Sequence, residues 1–138
     1  NEWYVTGVQL EAGTTASEFE FLPHDVNLNR CYRYYQFIGG TENASVAQGF
    51  STSTTQSVFL INYMSSMRAA PTLAQSTVAV TDNVGYDLTV NSIAASNFAS
   101  DKGRVFFNHN ATATQFRPAH LKPTATASTA GITLSSEL

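Results

Sequence analysis

Beyond Gly40 the chain never holds an apolar pattern long enough to pack a helix; it breaks instead into short runs of β-branched and aromatic residues, each closed by a turn signal. The strand candidates are Ser45 to Ser51, Ser57 to Tyr63, Thr72 to Val80, Tyr86 to Ala94, Arg104 to Asn108, Thr114 to Phe116 and Gly131 to Ser135. Between them stand Pro71, Asp82-Asn83 with Gly85, Asp101-Lys102-Gly103, Asn108-His109-Asn110, Pro118 and Pro123. Short strands at this spacing, with no long amphipathic helix, indicate an all-β chain folded as an antiparallel β-sandwich, jelly-roll-like in its expected form. The length, 138 residues, is about one domain's worth and buries a sizeable core without disulfide or metal.

The first forty residues read differently. From Trp3 to Glu11 the side chains alternate, Tyr4, Thr6, Val8 and Leu10 against Trp3, Val5, Gly7, Gln9 and Glu11, which is the period of a strand. Its backbone groups need a partner that no preceding hairpin supplies. After Pro23, Asp25 is an N-cap candidate, and Leu28, Cys31, Tyr32 and Tyr35 fall at helical spacing. The aromatic run that follows favours a strand. The reading is one short helix near Val26 to Arg30, then a strand from Cys31 to Ile38 ended by Gly39-Gly40. The tract Lys122 to Ala130, K-P-T-A-T-A-S-T-A, has the composition of a linker.

Charge narrows the function classes. Charged residues make up 12% of the chain and the net charge is −3, so the basic stripe needed for nucleic acid or an anionic membrane is missing. No apolar run approaches the roughly 18 residues of a membrane span. The single cysteine, Cys31, excludes an internal disulfide and a multi-cysteine zinc site, and its place on the apolar helical face suggests a small buried side chain. No cofactor is implied.

Catalytic constellations are weak. There is no G-x-S-x-G elbow and no H-E-x-x-H, and His24, His109 and His120 lie far apart, reading as loop residues. Glu18 with Glu20 and Asp82 with Asp87 are the carboxylate pairs that a glycosidase would need across a cleft, but solvated surface is the simpler account of each. The turn from Asp82 to Asp87 carries hard oxygen ligands without the spacing of a calcium loop, so an Asx-type turn suffices.

Five strings point to a family. Gly7 to Gly13, G-V-Q-L-E-A-G, is followed by Phe19-Glu20 and by Cys31 to Gln36, C-Y-R-Y-Y-Q; further on come Ser66 to Thr72, S-M-R-A-A-P-T, and the terminal L-S-S-E-L. In this order they resemble a recurrent segment of tailed-bacteriophage tail fibres and tailspikes. The resemblance implies that residues 1–22 are the terminal strand and linker of a preceding carbohydrate-binding-module-like jelly roll, and that 23–138 form the C-terminal domain of a virion protein. It further implies a homotrimer at the virion tail that contacts a host-surface polysaccharide or lipopolysaccharide, without catalysis. Thr72 to Gly131 matches no motif of that family.

A sugar offers an apolar C–H face and a rim of hydroxyls, so its site needs an exposed aromatic plane beside amides, carboxylates or arginine. The candidate platforms are Trp3, Tyr34, Tyr63 and Tyr86, with Asn62, Asp82, Asn83, Asp87 and Arg104 as polar neighbours and Tyr86 in first place. Phe37, Phe59, Phe98, Phe106 and Phe107 are expected in the core. In a trimer, shallow sites of this kind gain avidity, roughly 10²- to 10⁴-fold over one site. The alternatives are a purely structural trimerisation module, or an enzyme whose site is assembled between subunits.

Overall fold

The computed structural model describes the chain except residues 1, 3, 6, 11, 16, 20, 83–86, 111, 137 and 138, and the side chain of Ala95. One helix, α1 (His24–Tyr32), precedes nine strands: β1 (Tyr35–Gly39), β2 (Ala47–Ser51), β3 (Gln56–Asn62), β4 (Thr72–Ser76), β5 (Val78–Thr81), β6 (Asp87–Phe98), β7 (Lys102–His109), β8 (Pro118–Pro123) and β9 (Gly131–Ser135). All pairings are antiparallel. The all-β expectation with one short helix holds; the architecture is more closed than a sandwich. Strands β2-β3-β7-β6-β5-β8 form a closed barrel, and β1-β9-β4 form a separate three-stranded sheet.

Closure depends on β8, which pairs with β2 on one side and β5 on the other. Its prolines, expected to be breaks, sit instead at its two ends, where a missing N–H is tolerated. Ala119, Leu121 and Pro123 are buried on the inner face, while His120 and Lys122 are half-buried on the outer. The short strand expected at Thr114 to Phe116 is absent, and that segment is a turn with Phe116 at φ 61.

The expected strand Thr72 to Val80 is two strands. Thr77, at φ 53, turns the chain so that β4 joins the open sheet and β5 enters the barrel. Strand β6 runs further than expected and absorbs two irregularities in its pairing with β7, between Val90 and Ser92 and between Ile93 and Ala95. Every connection between the two sheets leaves the end of the barrel marked by Ala47, Asn62, Val78, Lys102 and Pro123. The open sheet covers that end: Ile132 and Leu134 of β9 join Ile61, Met67, Val78 and Leu121 in one core. Phe59 and Phe107, fully buried inside the barrel with ring centroids 6.0 Å apart, each contribute about 1.5–3 kcal/mol by burial.

Toward the N-terminus the expectations fare less well. None of the described residues between 2 and 22 is in a strand, and Tyr4, Val5, Val8, Leu10 and Phe21 are exposed. Helix α1 is preceded by Pro23 rather than capped by Asp25, which lies in the first turn, where its charge complements the helix dipole. The helix has no buried residue, so Cys31 is exposed rather than buried, and the apolar stripe is covered only in part, with Tyr32 half-buried. What ties α1 to the fold is Gln36, fully buried, whose Nε2 donates to Tyr32 O at 3.0 Å and Ser65 O at 2.7 Å while its Oε1 accepts from Met64 N at 2.8 Å.

Candidate binding face on the barrel

Strand alternation divides β2, β3 and β7 into an inner face and an outer one. Inside lie Ala47, Gly49 and Ser51 of β2, Ser57, Phe59 and Ile61 of β3, and Gly103, Val105, Phe107 and His109 of β7. The outer face carries Phe50, Val58 and Phe106 in one cross-strand row and Gln48, Leu60 and Arg104 in the next. Outer strands two positions apart stand about 10 Å from each other. Phe50 and Phe106 therefore form the walls of a slot with Val58 as its floor, and Gln48, Thr52, Leu60 and Arg104 complete a lining around about 240 Å³. Leu60, 65% exposed, is a ridge between this slot and a second depression of about 450 Å³ that adds Asn62, Asn97 and Lys102.

Arg104 borders both. Its guanidinium carbon lies 5.2 Å from the Phe106 ring centroid, so a cation–π contact holds it over the wall of the slot. Among the described residues it makes no hydrogen bond or ion pair. Among the described residues, no aspartate or glutamate lines either depression. The arrangement offers an apolar slot, a pre-oriented cation and amides that donate and accept.

Comparison of the chain with protein-family models, with curated proteins and with solved structures found no match.

Of the residues singled out in the sequence, Trp3, Asn83 and Tyr86 lie outside the described residues. Of the others, Asn62 and Arg104 meet on the lining of the second depression and Asp82 lies near Asp87, while Tyr34 and Tyr63 line neither depression. Arg104 is on the outer barrel face. Asp82 is almost fully buried at the opposite barrel end from Tyr63, with its Oδ2 2.9 Å from Arg117 Nε. Asp87 is exposed at the start of β6, 2.9 Å from Lys122 Nζ, and its carboxyl is held below the usual carboxylate range by hydrogen bonds from Thr81 and Lys122. Tyr63 packs against the core, its hydroxyl without a partner among the described residues, and burial followed by the charge of Asp101 pushes its phenol up to about 12. Tyr34 is half exposed, with Arg68 6.0 Å from its ring.

The pairing that the sequence hid is inside the barrel. Ser57 Oγ lies 3.1 Å from His109 Nε2 and 3.0 Å from Ser51 Oγ, linking residues 52 apart in sequence. His109 is thus a buried strand residue, not a loop one. Ser57 has no solvent exposure, so a substrate carbonyl has no path to its hydroxyl in this conformation. His120 also belongs to a strand, within 3.3 Å of Ser45 Oγ, and His24 opens α1.

Phe106 was expected in the core with Phe107. Neighbouring residues of a strand face opposite sides, so one of the two had to point outward. Phe50, between inward Gly49 and Ser51, follows from the same alternation.

Proposed function

We propose that the chain is a non-catalytic attachment domain that binds surface glycan, as the C-terminal tip domain of a tail-fibre or tailspike-like protein in a homotrimer. The observation that carries the binding reading is the slot on the outer barrel face, with Phe50 and Phe106 as walls beside Arg104, Gln48 and the amides of Asn62 and Asn97. Aromatic planes take the C–H face of a pyranose, and side chains that both donate and accept suit its hydroxyls. The slot is shallow, which suits multivalent display.

The purely structural alternative draws on a different observation. Tyr4, Val5, Val8, Leu10 and Phe21, with Val26 and Leu28 of α1, leave apolar surface uncovered in the single chain, as an assembling chain would. The two readings separate in one experiment. Binding of a glycan panel is measured for the parent protein and for Phe50→Ala and Phe106→Ala, with molar mass by light scattering alongside. Glycan binding lost in both variants at unchanged mass supports attachment through the slot. A stable trimer that binds no glycan leaves the structural module.

A further inference from the structure

We infer that the slot beside Arg104 selects a carboxylate-bearing pyranose, a hexuronate or a related acidic sugar, over a neutral one. The inference rests on the glycan-binding reading above and adds the ligand's charge to it.

Arg104 has no acidic partner among the described residues, although the protein has 10 acidic residues against 7 Lys and Arg. The other cations on the barrel surface are served: Arg117 meets Asp82, Lys122 meets Asp87, and Lys102 lies 3.4 Å from Asp101. Arg104 is held in place by the Phe106 ring, and such stacking leaves the N–H fork on the edge of the guanidinium free to donate. A planar carboxylate accepts two parallel hydrogen bonds from that fork, a match that a sugar hydroxyl cannot supply.

Arg104 lines both the apolar slot and the polar depression, so an anion bound there has aromatic wall on one side and Asn62, Asn97 and Lys102 on the other. A pyranose ring with a carboxylate on its rim has this distribution of chemistry. An acidic peptide is disfavoured by the barrel itself. Strands β2, β3 and β7 are paired on both sides, so the face has no open backbone edge onto which an extended peptide can add.

The test uses the whole 138-residue chain. Binding of an oligogalacturonate and of sialyl-lactose is measured by titration calorimetry at low and high salt, each beside its carboxyl-reduced counterpart. A polyglutamate peptide is the third probe. The variants are Arg104→Met, Arg104→Lys and Phe50→Ala, with urea midpoints to show that each folds. The expected result is that at least one acidic sugar binds and its reduced form binds about tenfold more weakly or less, that Arg104→Met removes this difference, and that Arg104→Lys recovers only part of it. Phe50→Ala weakens both forms. Equal binding of acidic and reduced sugars, with loss in Phe50→Ala, overturns the acidic preference and leaves the attachment reading standing. Binding of no sugar by the folded parent overturns both. Binding of polyglutamate alone, lost in Arg104→Met, overturns both in favour of an acidic protein partner.

Discussion

Gly39 and Gly131 stand opposite each other where β1 pairs with β9, and neither has room for a side chain. Their φ angles are +153° and +155°, a backbone region that L side chains rarely adopt. A Cβ on Gly39 would lie 2.7 Å from Gly131 Cα, and one on Gly131 would lie 2.9 Å from Gly39 Cα. Each would also run into a carbonyl oxygen, of Ala130 and of Ile38 respectively. Either alanine substitution is therefore expected to destabilise the fold by about 2 to 3 kcal/mol, read from the urea midpoint. The double variant should cost less than the sum, because the first Cβ already forces the strands apart.

Gln36 is expected to be as sensitive for a different reason. Replacing it with leucine keeps the volume but strands the Met64 N–H and the carbonyls of Tyr32 and Ser65, which the amide now satisfies. Buried groups left unpaired cost about 1–3 kcal/mol each, so Gln36→Leu should lower stability by about 3 kcal/mol or more. Hydrogen exchange should speed first at the junction of α1 and β1.

Tyr63 gives an alkaline signature. It should ionise late, near 12, because burial and then the Asp101 charge disfavour the phenolate. A folded-state value raised above the unfolded one means that this stabilisation is complete below about pH 10 and is lost as pH rises toward 12. Ultraviolet titration of Tyr63→Phe should lack a step near pH 12, and Asp101→Asn should move that step to lower pH.

At the acid end the sign reverses. The Asp87 carboxyl is depressed by hydrogen bonds from Thr81 and Lys122, so its contribution is complete above the unfolded value of about 3.9 and disappears as pH falls through the folded one. The side chain is largely exposed, so the effect is small. Urea midpoints followed through that range should fall less steeply for Asp87→Asn than for the parent.

The strands of the barrel were legible where side chains alternate without interruption. β2, β3, β7 and β9 begin and end within two residues of where β-branched and aromatic runs place them. Closure was not legible, because the strand that seals the ring is bounded by Pro118 and Pro123; without it the remaining five strands would read as an open sheet. Thr77 hid the change of sheet, since nothing in Gln75-Ser76-Thr77 announces a positive φ. For the binding face the picture is similar. Arg104 was found as a polar residue near a turn, whereas its neighbours Phe50 and Leu60 come from another part of the chain and meet it only through the registers of β2, β3 and β7. Alternation alone tells which face a residue occupies, not which residues of other strands stand beside it.

The two sheets share a dependence on the last two described strands in chain order. β8 is the stave that closes the ring between β2 and β5, and β9 is the middle strand of the open sheet, with β1 and β4 on its flanks. While the ribosome is still adding residues 118–135, neither sheet can be finished, however long the earlier strands have been available. A nascent chain of this design waits with one edge each of β2 and β5, and with β1 and β4, unpaired, and completes both sheets late, over long sequence separations that favour slow folding. Unpaired strand edges and transiently exposed apolar surface make that interval, rather than the finished barrel, prone to aggregation.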